Sequence, residues 1–210
     1  MTQGGRRQRL TICAGSYDDA RTALSLLEHM ADVPLAEIAG VLVEDPRHAA
    51  AAGLPRQRLI TFSGAFAAPP TGRMLERMAA RDSEAFREGL ARLAAARRAA
   101  WRFERRPGPL GALLAEMGDL VLLAHAGGRR PARRIALIAG TDGDAAGAAC
   151  ARDLARGLAA AAGAGVEEIP LPADEAARAA LISRLGRMSA MAVVLEPSAA
   201  ADWPPDELEA

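Results

Sequence analysis

The stretch AGSYDDARTAL (Ala14–Leu24) returns 125 residues later as AGTDGDAAGAA (Ala139–Ala149). The short apolar run LTIC precedes the first copy and IALI precedes the second, and each copy continues into an alanine-rich segment. An apolar run that ends at a glycine and a hydroxyl residue is typical of a buried strand followed by a helix start, where Ser16 and Thr141 are expected to cap the helix. The sequence therefore predicts the same strand, turn and helix twice.

Further strands and helices alternate around these two copies. Pro34 ends the first helix, since proline cannot continue a helix interior, and Thr71 caps a long helix that reaches about Ala100. Other helices are predicted over Pro109–Met117, Ala145–Ala162 and Ala173–Gly186, and other strands over Ile38–Val43, Trp101–Glu104, Leu120–Ala124, Val166–Leu171 and Ala192–Leu195. The alternation predicts an α/β fold with Rossmann-like parallel sheets and helices on both faces.

The composition excludes several classes of protein. All 26 basic residues are arginine, so a P-loop lysine and a catalytic lysine are both excluded. The net charge of zero divides into +5 for residues 1–131 and −5 for residues 132–210, which permits attraction between the halves or between subunits. No arginine run is interleaved with aromatic residues, and no apolar run approaches the roughly 20 residues of a membrane span. We therefore expect no nucleic acid partner, no membrane insertion and a cytoplasmic protein.

Four features in a fixed order carry a resemblance to a known family. They are the strand followed by AGSYDDARTALSLLEHM, the strand ending IAGVLVEDP, the long amphipathic helix before a short strand, and GPLGALLAEMGDLVLLAHAGG. This set resembles the universal stress proteins of the adenine-nucleotide α-hydrolase-like superfamily, which show a D-G-S-like turn, a V-E-D strand end and a glycine-rich loop in the same order. The resemblance covers about residues 9–128 and, in shortened form, about residues 132–198.

The resemblance implies a tandem protein that acts in a stress response. It divides the chain into a first unit at 1–131, a shortened second unit at 132–198 and an acidic tail at 199–210. Family members form homodimers, so a homodimer or another protein partner is expected here as well.

The resemblance also locates a phosphate loop. ATP-binding members place G-x2-G-x9-G-[ST] after the fourth strand, where backbone amides and a hydroxyl hold the phosphates. Here Gly127 and Gly128 follow the matching strand, but Arg130 stands at the second glycine position. Gly140 and Thr141 complete the spacing formally, yet they follow the next predicted strand and so lie outside that loop.

The first turn departs from the family as well. Ala14 stands where the family has an acidic residue, and Ala139 stands there in the second copy. Both nucleotide sites are therefore predicted to be degenerate: no cofactor is expected, and ATP or AMP is only an unfavoured alternative. The weak candidates for cofactor-binding residues are Gly15, Ser16, Val43, Gly127, Gly128 and Arg130.

Other reactive side chains form no recognised site. Cys13 and Cys150 do not match within the repeat and are interpreted as buried small hydrophobic residues. His29, His48 and His125 have no metal-ligand partner at a recognised spacing, so no catalytic residue and no metal ligand is assigned.

The sequence thus predicts a non-enzymatic regulatory or interaction module that resembles a universal stress protein. One alternative is a nucleotide or small-anion sensor that uses the Gly127-Gly128 loop and the nearby arginines. A second alternative is a hydrolase or transferase of the same superfamily.

Overall fold

The fold is taken from a computed structural model, which describes residues 8–30, 35–44, 59–60, 66–67, 71–117, 120–124, 134–140, 145–174, 176–178, 180–181, 184 and 190–201. The elements with defined bounds are, in chain order, β1 (Gln8–Ala14), α1 (Tyr17–His29), β2 (Leu35–Glu44), β3 (Leu59–Ile60), β4 (Phe66–Ala67), α2 (Gly72–Arg97), β5 (Ala100–Pro107), α3 (Leu110–Ala115), β6 (Leu120–Ala124), β7 (Arg134–Ala139), α4 (Ala145–Ala162), β8 (Gly165–Pro170), β9 (Ala190–Leu195) and α5 (Pro197–Ala201). Within these ranges no helix has the length and apolarity needed to cross a membrane.

Seven strands form one sheet in the order β5-β2-β1-β6-β9-β7-β8. The first four strands of this order are parallel to one another, and so are the last three. The two groups meet at β6 and β9, which pair antiparallel with Val121 opposite Leu195. The predicted α/β architecture with parallel strands is confirmed, whereas the antiparallel pair in the middle was not predicted. The separate pair β3–β4 is antiparallel.

The sheet has helices on both faces, as predicted. One face packs against α1, α2 and α4 through a cluster that includes Leu24, Leu90 and Leu154. The other face packs against α3 and α5 through a cluster that includes Leu114 and Ala199. Successive side chains of a strand point to opposite faces, so the uninterrupted apolar runs of the central strands serve both clusters.

The long helix α2 begins and ends at identifiable signals. The Thr71 side chain accepts a hydrogen bond from the Met74 backbone N–H at 3.3 Å, which confirms the predicted cap. The helix stops at Arg97, earlier than the predicted Ala100, because Arg98 adopts a left-handed conformation with φ of 51°. The chain then enters β5 at once.

The acidic tail begins later than predicted. Ala199, its predicted first residue, belongs to α5 and is completely buried against the sheet. The sequence pattern did not show this because α5 has only five residues. Residues 202–210, with Trp203, lie outside the described part of the chain.

The packing of β2 against α2 yields a first testable prediction. A Cβ on Gly40 would lie 2.1 Å from Leu90 Cδ1 and 3.0 Å from Phe86 Cζ, and both side chains are completely buried. Gly40→Ala should therefore lower the free energy of unfolding by about 1–3 kcal/mol, the usual cost of an overpacked core. Chemical denaturation followed by circular dichroism measures this change.

The matched control is Gly165→Ala at the start of β8, where an added Cβ would meet no heavy atom within 4 Å. It should change stability by no more than about 0.5 kcal/mol. Equal stability of the two variants would contradict the close packing of β2 on α2.

Candidate functional site

The turn between β1 and α1 is the first part of the candidate site. Ser16 has an extended backbone, and its side chain accepts a hydrogen bond from the Asp19 N–H at 3.3 Å. The Ser16 hydroxyl also donates to the Asp19 carboxylate at 2.7 Å. Ser16 is thus the N-cap of α1, as the sequence predicted, and its hydroxyl is committed to that cap.

Val43 lies near the end of β2, beside this turn. β1 ends with Ala14 opposite Leu42, so β2 extends beyond it. The Glu44 carbonyl accepts from the Gly108 N–H on the β5 side at 3.1 Å. Because backbone groups alternate sides along a strand, the Val43 N–H and C=O point to the β1 side, and its carbonyl lies beyond the last paired residue of β1.

A cavity of about 430 Å³ lies between the ends of β1 and β2 and the first half of α2. The structure brings two predicted site residues, Gly15 and Val43, together in its wall. Parallel strands commonly form ligand sites at their carboxyl ends, and the volume falls in the range of small-molecule pockets. The described lining residues are Gly15, Leu42, Val43, Glu44, Gly72, Leu75, Glu76, Ala79, Asp82 and Arg105.

A carboxylate of α2 reaches the start of α1 at this cavity. Asp82 Oδ2 lies 3.5 Å from the backbone nitrogen of Tyr17, the first residue of α1, in a half-buried position. Asp18 and Asp19 add two more acids to the first turn of the same helix. The N–H groups at a helix start attract anions, so the chain itself supplies the negative charge at this turn.

The charge of the cavity wall is negative overall. Arg105 donates from Nε to the Glu44 carboxylate at 2.6 Å, which fixes the end of β2 to β5. Glu76 and Asp82 add two carboxylates, so the described wall carries three acids and one arginine. Such a wall repels a polyphosphate and tolerates a neutral or cationic group.

The second strand-to-helix turn also receives a carboxylate from its own chain. The Gly140 backbone N–H, directly after β7, donates to the Glu196 side chain at 2.9 Å. Glu196 follows β9 and is only 3% exposed, and its own N–H donates to the Ile138 carbonyl at 3.1 Å. The first amide of this turn is therefore occupied by a buried carboxylate.

Gly140 is required for this arrangement because α5 lies against it. A Cβ at Gly140 would be 2.1 Å from the Ser198 hydroxyl oxygen and 3.0 Å from the Ala199 backbone nitrogen. The backbone of the turn therefore contacts the segment that carries Glu196, and any larger residue would displace that segment. Thr141, the next residue, lies outside the described part of the chain.

The remaining predicted site residues lie outside the described residues. Gly127, Gly128 and Arg130 belong to the segment between β6 and β7, for which the structure describes nothing before Arg134. His48 and His125 lie outside as well. Within the described ranges, no group of three histidine, cysteine or acidic side chains is placed to hold a metal ion.

Cys13 lies within the core, as predicted, and is chemically protected. Burial raises the pKa of its thiol to about 12, with a smaller contribution from the charge of Glu104. Its Sγ lies 3.4 Å from Met117 Sδ. Cys150 is half-buried, and burial also raises its pKa. The Cys13 thiol, whose pKa lies so far above neutrality, is not a nucleophile, since the thiolate is the reactive form.

Sequence reasoning missed Asp82 and Glu196. Asp82 is one of many polar residues of α2, and the sequence does not show which of them faces the β1–α1 turn. Glu196 gives a clearer signal, because it is a single acid directly after an apolar strand. Identifying its partner required the pairing of β7 with β9, which brings Gly140 and Glu196 together across 56 residues.

No family model matches the sequence, and no curated protein matches it significantly.

The buried thiol yields a second prediction. The pKa of Cys13 is raised in the folded protein, so its contribution to stability is complete below the unfolded-state pKa of 9.0 and is lost as the pH rises toward 12. At pH 11 under reducing conditions the wild type should have lost about 2–3 kcal/mol more stability, relative to pH 8, than Cys13→Ala. Urea denaturation at the two pH values measures the difference, and parallel losses in the two proteins would show that Cys13 ionises freely.

Proposed function

We propose that this chain is a non-enzymatic regulatory or interaction module, similar to a universal stress protein, in which the chain's own carboxylates fill the turns that could bind phosphate. One observation carries the proposal. Asp82 and Glu196 come from distant segments, 65 and 56 residues away, and each reaches a strand-to-helix turn. Nucleotide-binding α/β proteins use the amides of such turns for phosphate.

The strand order supports the proposed relation between the two halves. If β1, β2, β5 and β6 of the first half are numbered 1 to 4 in chain order, their order in the sheet is 3-2-1-4. If β7 and β8 of the second half are numbered 1 and 2, and β9 is numbered 4 to match β6, their order is 4-1-2. The second half thus resembles the first without its edge strand, and the two repeated turns follow β1 and β7, the equivalent strands. This is the arrangement that a shortened tandem copy would produce.

The same order supports a broken phosphate loop. β7 is antiparallel to β6, so its carboxyl end lies at the opposite end of the sheet from the loop that follows β6. Six residues of β7 separate Arg134 from Gly140 by roughly 20 Å. Gly140 is therefore poorly placed to complete a phosphate loop that begins directly after β6.

Electrostatics support the exclusion of polyphosphate. Two unit charges about 4 Å apart repel by about 1 kcal/mol in water and about 4 kcal/mol near a protein surface. A phosphate at the start of α1 would approach Asp82, Asp18 and Asp19 together. We therefore expect ATP to bind with millimolar affinity or weaker.

A second candidate function is small-ligand sensing, and the cavity beside Val43 favours it. The Val43 carbonyl, the apolar side chains of Leu42 and Leu75, and the surplus of carboxylates suit a planar ligand that is neutral or cationic. A nucleotide sensor, by contrast, would depend on the backbone N–H groups of Gly127 and Gly128 to bind phosphate and on the charge of Arg130 to offset the carboxylates.

The third prediction tests the role of Asp82. Asp82→Asn removes the negative charge beside α1 and keeps the shape of the side chain, so affinity for Mg·ATP should rise at least about fivefold. Ligand-observed NMR titration measures such weak binding in both proteins. Glu88→Gln, which neutralises an exposed acid on the same helix, should leave the affinity unchanged.

Three results would count against the proposal. Unchanged ATP binding by Asp82→Asn would show that this carboxylate does not exclude phosphate. Micromolar ATP binding by the wild type that is lost in Arg130→Ala would favour the sensor. Turnover of nucleoside triphosphates or esters above about 1 per second would indicate an enzyme of the superfamily.

A further inference from the structure

β5 forms one edge of the seven-stranded sheet and is unusually open to solvent. Its sequence is AWRFERRP, and six of its eight residues are exposed, whereas Phe103 and Arg106 are half-buried. Trp101 is 42% exposed. An open edge strand presents unpaired backbone groups, with which a strand of another chain can pair.

The backbone groups on the open edge belong to the odd-numbered residues. The Gly108 N–H donates to the Glu44 carbonyl on β2. Backbone groups alternate between the two sides of a strand, so every second residue before Gly108, namely Arg106, Glu104 and Arg102, also directs its N–H and C=O to β2. Trp101, Phe103 and Arg105 therefore direct their N–H and C=O groups outward. Pro107 also faces outward but has no N–H, so Arg105 is the last residue of β5 that can donate a hydrogen bond across the open edge.

The side chains of β5 divide between the two faces of the sheet. Phe103 contacts Phe86 of α2 edge to face, with ring centroids 5.5 Å apart, so Trp101 and Arg105 lie on this face as well. Arg106 pairs with Glu116, which follows α3 on the opposite face. Arg102 and Glu104 share that second face.

We propose that β5 pairs antiparallel with β5 of a second copy of this chain, about a two-fold axis through Phe103. In this register the outward backbone groups of Trp101, Phe103 and Arg105 meet those of Arg105, Phe103 and Trp101 of the second copy. Arg102 of each copy stands opposite Glu104 of the other, at positions where side chains of an antiparallel pair come closest.

The side chains match in this register on both faces. Two Arg102–Glu104 pairs form on one face. Within the described part of its own chain the charge of Glu104 acts on Arg106 of the same face, without a close ion pair. Arg102 already contacts Glu37 and is engaged further within its own chain, but a guanidinium has five N–H donors and can serve an additional carboxylate. On the other face Trp101 stands opposite Arg105, a favourable pairing of a ring with a cation.

Neighbouring two-fold registers are unfavourable. An axis at Arg102 or at Arg105 would place two arginines directly opposite each other, and an axis at Glu104 would do so with two glutamates and would also oppose Arg102 to Arg106. Like charges directly opposite are destabilising in a sheet. An axis at Arg105 would also oppose Glu104 to Arg106, but it would set Phe103 against Pro107, which has no N–H to donate. Among these registers only the axis at Phe103 forms opposite-charge pairs without a like-charge pair, and the inference is independent of the proposed function.

Sedimentation velocity of the full chain over about 5–300 µM tests the pairing. The paired segment is short compared with standard interfaces, so we expect a dimer with a dissociation constant on the order of tens of micromolar. Glu104→Arg places arginine opposite arginine at both charge pairs and should weaken the dimer at least about tenfold. Glu28→Arg, the same charge change on the exposed side of α1, is the matched control and should not.

Mixing two variants tests the register itself. Glu104→Arg and Arg102→Glu should each be monomeric alone, and an equimolar mixture should dimerise as the wild type does, because both charge pairs are restored across the interface. Thermal melts establish that each variant is folded. If Arg102→Glu unfolds through repulsion from Glu37, the comparison of Glu104→Arg with Glu28→Arg decides alone. The proposal would be overturned if the wild type stayed monomeric at about 300 µM, or if Glu104→Arg left the dissociation constant of the dimer unchanged.

Discussion

The antiparallel pairing of β6 with β9 is the contact on which the rest of the fold depends. These strands are the fourth and fifth of seven, and their residues face both core clusters, Leu122 and Val194 on one side and Val121 and Leu195 on the other. Because the pairing reverses the strand direction, the two parallel groups have their carboxyl ends at opposite ends of the sheet. The turn after β1 and the turn after β7 are therefore far apart, and each must satisfy its backbone amides with groups at its own end of the sheet.

Both turns solve this problem with a carboxylate from a distant segment. Asp82 approaches the start of α1 from α2, and Glu196 reaches Gly140 from the end of β9. The two solutions differ in burial: Asp82 borders an open cavity, whereas Glu196 is almost completely buried. A buried carboxylate persists only where hydrogen bonds compensate for lost hydration, so the second turn is the more firmly closed. The first turn keeps the space in which a ligand would bind.

The sequence predicted the parts of this fold that depend on local signals. Apolar runs, the caps Ser16 and Thr71 and the repeated glycine turn gave the strands and helices close to their observed bounds. The antiparallel pair β6–β9 could not be predicted, because both strands are short and apolar on both faces and so carry no sign of direction. Gly15 and Val43 were predicted as site residues and lie together, but Asp82 and Glu196 owe their roles to contacts between distant segments, which no local pattern contains.

The central claim is that the two parallel halves form one cooperative unit held at β6–β9. Native-state hydrogen exchange of the backbone amides measures this directly, because it reports the free energy at which each segment opens. The amides of Val121–Leu123 and of Val193–Leu195 that pair across this contact should exchange through openings of the same free energy, which should equal the free energy of global unfolding. Exchange of the β9 amides at a free energy well below that of the β6 amides would show that the halves open separately, and would contradict this account.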